Sequence, residues 1–347
     1  MKAMRYLMAP VWVAALATGA KSFRDNPVIG SPALNRRGLY VRRAKLAHGM
    51  AWHRRGRLAR MISAEDRAAF DRDGFVMRPD FLPREKFERL RDAIFAHPAP
   101  AREMLQGDTV TRRYAVDPGF IAAVPEIRTL LSDPDWRGLN RYVGSFDQEP
   151  LTYVQTILSH INNSKPDPQT GLHIDTFHPT VKAFYFLTDV KEDEGPFVYV
   201  PGSHRLTPGR LKWEYEQSIL AASGGDRLSA RGSLRASAAE IERMGFAAPR
   251  AFAVPANTLV VADTVGFHAR GLSARPTVRV EVWTYGRRNP FLPWTGLDPW
   301  SIPGLAERRI PFVWDVRDFL NRKGLISQPW KDVGLLRPQD PPGLPVA

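Results

Sequence analysis

Apolar and polar positions alternate most regularly near the end of the chain. In Thr277–Tyr285 (TVRVEVWTY), Val278, Val280 and Val282 fall on one face and Arg279, Glu281 and Trp283 on the other. A period of two marks a half-buried strand. Val181–Val190 (VKAFYFLTDV), Phe197–Val200, Thr258–Asp263 (TLVVAD) and Leu151–Leu158 are runs of β-branched and aromatic residues that predict further strands. Glu194-Gly195-Pro196 and Pro201-Gly202-Ser203-His204 supply turns between them. Short strands punctuated in this way predict an antiparallel sandwich or jelly-roll barrel.

Helical signals flank this core. Ser63 followed by Asp66 reads as a helix N-terminus, which sets a domain boundary near residue 62. Leu206–Pro249, rich in Arg, Ala, Ser and Glu, predicts a helical insertion able to form a lid or substrate wall. The tail is rich in proline and tryptophan and predicts wrapping loops, a short helix around Val313–Arg322 and disorder from Arg337. The chain therefore divides into a leader (1–62), a β domain (63–290) and a C-terminal extension (291–347), with no internal repeats.

Charge changes the picture of the leader. The 347 residues are 44% apolar, enough for one large domain with appendages. The formal net charge is +13, and residues 1–60 hold 13 Lys and Arg against one acid, Asp25, so the body is almost neutral. Leu7–Ala20 is apolar apart from Thr18 and contains Pro10. As a helix it reaches about 21 Å, short of a hydrocarbon core of ~30 Å, so lying in the interface is easier than spanning. Asn35–Met61 mixes Leu39, Val41, Leu46, Trp52 and Leu58 with arginines. Near an anionic leaflet each basic residue contributes roughly 1 kcal/mol, which predicts a peripheral protein on the cytoplasmic face of a membrane. A cleaved export signal is the alternative, and no nucleic-acid partner is expected beside the apolar run. The absence of cysteine excludes disulfides and thiolate metal sites.

The candidate chemistry is His173-Ile174-Asp175, followed by His268 and then Arg279. Side chains at i and i+2 of a strand share a face, so on a strand His173 and Asp175 converge while Ile174 turns into apolar packing. Two imidazoles and one carboxylate match the facial triad that holds Fe(II) and leaves positions open. Arg279 suits the carboxylate of a co-substrate through a bidentate pair, or else a structural ion pair with Glu281 on the same face.

HIDTFHPTVKAFYFLTDVKEDEGPFVYVPGSH resembles the core of the phytanoyl-CoA dioxygenase family, and DRAAFDRDGFVMRPDFLPREKFERLR resembles its opening segment. The resemblance covers roughly residues 63–290. It implies a double-stranded β-helix, cupin-like, mainly β with flanking helices. It also implies Fe(II) held by His173, Asp175 and His268, with 2-oxoglutarate and O2 as co-substrates. Arg279 would pair with the far carboxylate of 2-oxoglutarate, and Gln155, or Thr156 after a one-residue slip, would hydrogen-bond it. Relatives carry a small hydroxyl residue where this chain has Arg270, which gets no role here. Halogenating members lack the carboxylate that Asp175 supplies, so hydroxylation is the expected outcome. Lys182, one step into a strand entering the site, is a candidate contact for an anionic substrate. His178 is expected to pack near the triad or to line the pocket entrance, and His204 to serve in a structural turn. The expected substrate is a membrane lipid or lipid-linked headgroup, with a soluble acyl-CoA or other small metabolite as the alternative. A non-catalytic membrane or nucleic-acid adaptor is the remaining reading.

Overall fold

A computed structural model describes residues 9–224 and 226–345. Its strands are β1 (Phe75–Arg78), β2 (Ala99–Gln106), β3 (Thr109–Ala115), β4 (Leu151–Ser159), β5 (Val181–Phe186), β6 (Phe197–Tyr199), β7 (Arg250–Ala251), β8 (Leu259–Asp263), β9 (His268–Arg270), β10 (Thr277–Gly286) and β11 (Lys331–Leu336). They form an eight-stranded sheet, β1-β8-β5-β10-β4-β3-β2-β11, and a three-stranded sheet, β7-β6-β9. Every pairing is antiparallel. The double-sheet β core with flanking helices is the architecture expected from the alternation.

That alternation decides which face of the large sheet meets what. On β10, Val280 and Val282 join Val154, Val181, Ala183 and Tyr185 in one apolar cluster. The cluster continues through Phe70, Leu90, Ile94 and Leu139, on the helices Ala64–Asp73, Arg84–Ala96 and Pro134–Gly144. The other face sends Phe184, Phe186 and Trp283 against Phe197, Tyr199 and Phe252 of the small sheet region. The polar residues of β10 share this inner face, so the site opens between the sheets. Ser63 caps the helix Ala64–Asp73 by accepting from Asp66 N at 3.0 Å, and Gly74, at φ 85°, ends it in the left-handed region.

The leader, expected as a basic membrane-associating segment, packs against the body. Residues 39–58 do form a helix, Leu39–Leu58, but it is built into the body. Phe23, Ile29, Tyr40, Ala44 and Ala47 pack with Ile174, Phe177, Val200 and Trp213 in a third cluster. Each large apolar side chain so buried contributes roughly 1.5–3 kcal/mol. Arg54, 1% exposed, donates to the carbonyls of Ser145 (2.9 Å), Pro290 (3.0 Å) and Leu292 (2.6 Å) and lies over the Phe146 ring. Arg43 donates to the carbonyls of Leu16, Thr18 and Ala20. Part of the positive charge thus satisfies internal carbonyls. Arg36, Arg37, Arg42 and Lys45 remain exposed. Among the described residues no helix is long and apolar enough to cross a membrane. Of the apolar run, Leu7 and Met8 lie outside the described residues.

The insertion after His204 is helical as expected: Pro208–Leu220, Arg227–Ala230 and Ala238–Arg243, the last with a Ser237–Glu240 capping box. The C-terminal helix runs Arg309–Arg322, starting earlier than the sequence predicted. Disorder from Arg337 is not what residues 337–345 show. Arg112, fully buried with Glu103 at 2.7 Å, needs further acceptors, and the carbonyls of Arg337 (3.0 Å) and Asp340 (2.9 Å) supply them. Glu103 in turn accepts from Gly343 N and Leu344 N. Val346 and Ala347 lie outside the described residues.

Candidate active site

His173 sits in an extended segment, not a regular strand, bridged on both sides by Arg235 and His268. His173 N donates to His268 O and His268 N to His173 O, each at 2.9 Å, which brings residues far apart in sequence side by side. Their rings lie 4.4 Å apart between centroids. Asp175 N donates to Thr264 O, anchoring the carboxylate to the loop before His268. Ile174, fully buried, packs with the leader helix, as the i, i+2 argument requires.

One ligand atom from each of His173, Asp175 and His268 falls within 4.8 Å of the others. Nε2 is 4.0 Å from Asp175 Oδ1 for His173 and 3.6 Å for His268. On the far side of each ring, Nδ1 faces a carbonyl: Gly171 O at 2.8 Å and Gly266 O at 2.9 Å. A carbonyl only accepts, so Nδ1 carries the proton and both Nε2 lone pairs face the carboxylate. This is the outer-shell device that prepares imidazoles for a metal. Burial, with the neighbouring imidazole, holds His173 well below the usual histidine range, so it is neutral at pH 7. Burial alone would raise the Asp175 carboxyl, but the Lys182 ammonium and the two imidazoles outweigh it and hold it well below the carboxylate range. Lys182 Nζ lies 2.6 Å from Asp175 Oδ2, which leaves Oδ1 facing the two Nε2 atoms. The donor set fits a divalent ion with open positions.

A cavity of about 340 Å³ adjoins the three side chains. Arg279 and Gln155 both line it, from paired strands on which Gln155 stands opposite Glu281. They are tied through that acid: Gln155 Nε2 donates to Glu281 Oε1 at 2.7 Å, and Arg279 Nε is 3.1 Å from Glu281 Oε2. The structural ion pair weighed for Arg279 is therefore present, and Arg279 also donates to Gly195 O. Thr156 faces away, donating to Pro338 O at 2.9 Å, so the register puts Gln155 on the cavity side. Arg270 donates to buried Asp167 at 2.5 Å and reaches Thr111 Oγ1 at 3.5 Å, pinning the loop that leads to His173. His204 is buried beside the Trp52 and Phe70 rings, and His178, also buried, faces Pro179 O.

Three charged cavity residues were missed by the sequence reading. Arg113 donates to Gln155 Oε1 at 2.8 Å and lies over the Trp283 and Trp330 rings, and its burial lowers the guanidinium to about 10. Lys21 comes from the leader and donates to Asp175 O; burial lowers its ammonium to about 8. Arg287, just past β10, donates to Gly19 O. Nothing local marks Lys21, because the leader's place over the site is a tertiary fact.

Residues 70–227 match the phytanoyl-CoA dioxygenase (PhyH) family, bearing out the resemblance read from the sequence. No curated protein matches the chain at a significant level. Among solved structures, the chain is similar to HygX from Streptomyces hygroscopicus with nickel, 2-oxoglutarate and hygromycin B bound, at 20% identity and TM-score 0.39, covering 65% of this chain and 87% of that one. It is similar to the epimerase SnoN in complex with Fe3+, alpha ketoglutarate and nogalamycin RO, at 21% identity and TM-score 0.43, covering 68% and 91%. It is also similar to EctD from S. alaskensis in its apoform, at 18% identity and TM-score 0.38, covering 70% and 83%.

Proposed function

We propose, with the phytanoyl-CoA dioxygenase family match of residues 70–227 as premise, that the chain is an Fe(II)- and 2-oxoglutarate-dependent dioxygenase that hydroxylates a small molecule. His173, Asp175 and His268 would hold the iron. Gln155 and Arg279 would position 2-oxoglutarate, and Lys182 would meet the substrate. The observation that supports this reading is the pair of Nε2 atoms set toward one carboxylate at the edge of a polar cavity.

When bound, iron with 2-oxoglutarate and O2 supplies the oxidising power to place one oxygen on a C–H bond, leaving succinate and CO2. The chain's own residues do the rest. Gly171 O and Gly266 O hold both imidazoles in the tautomer that offers Nε2. Glu281 orients the Gln155 amide and the Arg279 guanidinium together. Phe184, Phe197 and Trp283 shield the cavity wall from water.

Succinate release from 2-oxoglutarate that requires added Fe(II) tests the reading, with His268→Ala as the control. Activity surviving in that variant would sink the assignment. A lipid headgroup as substrate draws support from the exposed Arg36, Arg37, Arg42 and Lys45, which lie with Lys212 around a shallow surface hollow. Running the assay with lipid extracts, acyl-CoAs and small polar metabolites side by side separates these substrates by which one stimulates succinate release.

A further inference from the structure

We infer that Lys21, Lys182 and Arg287 form a second oxyanion site, which binds a phosphate or carboxylate group of the substrate on the side of the triad away from Arg279. The inference rests on the proposed metal site and deepens it, since it names a substrate class.

Strand β10 gives the layout. Arg279 and Arg287 are eight residues apart, about 27 Å at ~3.4 Å per residue, so they mark opposite ends of the cavity they both line. Lys182 stands opposite Tyr285 in the β5–β10 register, toward the Arg287 end. Gln155 stands opposite Glu281, toward the Arg279 end. One wall therefore serves two separate anions.

Charge decides which end lacks a partner. Arg279 has Glu281 at 3.1 Å and Arg270 has Asp167 at 2.5 Å, which leaves Arg113 and a bound metal to balance 2-oxoglutarate. At the other end the acid is Asp175, 2.6 Å from Lys182. Asp175 turns its other oxygen, Oδ1, to the two imidazoles, so a metal held there would draw the carboxylate's charge away from the ammonium. Lys21 and Arg287 donate to neutral carbonyls, Asp175 O and Gly19 O, and the acid that acts on Lys21 is the same Asp175 that a metal would share. Three cations then share one end of the cavity, two of them half-buried, and like charges in such surroundings call for an anion. An arginine fork with two lysine point charges suits a phosphate or carboxylate.

Lys21 is held ready for this. Arg24 N donates to Ala230 O at 2.9 Å, and Asn289 Nδ2 to Ala17 O at 3.0 Å, so the segment before the leader helix is fastened on both sides of it. The leader completes the substrate site.

The test is calorimetric titration of inorganic phosphate into the full chain loaded with Ni(II), a redox-inert stand-in, and 2-oxoglutarate. Lys21→Met and Arg287→Gln should each weaken phosphate binding tenfold or more while changing 2-oxoglutarate affinity less than twofold. Arg287 is exposed, so its variant should fold if Lys21→Met does not. Absent phosphate binding in the parent chain, or equal binding in both variants, would overturn the inference. So would variants that weaken 2-oxoglutarate as much as phosphate. If Ni(II) or 2-oxoglutarate fails to bind, the metal-site reading falls by itself. Phosphate titrated into the metal-free chain then decides the anion site, which stands if the variants lose binding and falls if they keep it. Vesicles one-third phosphatidate identify the source. Vesicle binding lost in the two variants assigns the oxyanion to a lipid headgroup, and vesicle binding indifferent to them, with phosphate binding lost, assigns it to a free small molecule.

Discussion

Arg55 and Asp263 form an ion pair sealed from solvent, Nη2 to Oδ2 at 2.7 Å, and through it the N-terminal helix grips the loop that carries His268. The same carboxylate accepts from Thr180 N at 3.0 Å and Val265 N at 3.1 Å, and the Tyr199 hydroxyl donates to Asp263 O at 2.8 Å. Burial pushes the Asp263 carboxyl up, and Arg55 offsets part of that rise. Arg55→Leu would strand a buried charge, at a cost of about 3–5 kcal/mol. Chemical denaturation should register that loss and a smaller one in Arg55→Leu/Asp263→Asn. A single variant as stable as the parent would show that the pair carries no weight.

Removing residues 1–60 is expected to unfold the β domain and not to release it as a soluble unit. The deletion strips Tyr40, Ala44, Ala47 and Leu58 from their clusters and leaves Asp263 without Arg55. Circular dichroism and a thermal melt of the truncated chain decide this. A cooperative melt near that of the full chain would mean that the leader is an appendage after all.

This is where reading the sequence stopped. Local alternation carries the strands, because the period of two on Thr277–Gly286 separates the face packed on helices from the face toward the cavity, although both are buried and the strand is not the half-buried one expected. Spacing carries the His173–Asp175 pair, because i, i+2 geometry is local. The leader's packing was not legible for a physical reason. Positive charge on a helix looks the same in sequence whether arginine meets phospholipid or, as with Arg54, the carbonyls of Ser145, Pro290 and Leu292. Lys21 was invisible for the same cause, and so was the tail that covers Arg112.

Lys182 competes with a metal for Asp175. Its ammonium is 2.6 Å from Asp175 Oδ2 and 3.5 Å from His268 Nε2, a like charge beside the donor set, so metal binding includes the cost of that repulsion. Lys182→Met is therefore expected to tighten Co(II) binding about tenfold, equivalent to about 1.4 kcal/mol. The visible absorption of Co(II) during titration measures the change. Weaker binding in the variant would mean that Lys182 supports the site and does not oppose it.

Stability of the metal-free chain should fall as the solution is acidified from pH 7 to pH 5. Burial lowers His48, His173, His178 and His204, the third to about 3. In the unfolded chain each titrates near the ordinary value of about 6.5. Below that value the unfolded state takes up protons that the folded state refuses, so unfolding gains ground as pH drops. Each histidine contributes a slope approaching ~1.4 kcal/mol per pH unit. Burial raises Glu214 and Asp263, which oppose the trend, but two carboxyls stand against four imidazoles. Urea denaturation at pH 7, 6 and 5 should show a loss of several kcal/mol, and a flat profile would mean that these histidines are protonated in the fold.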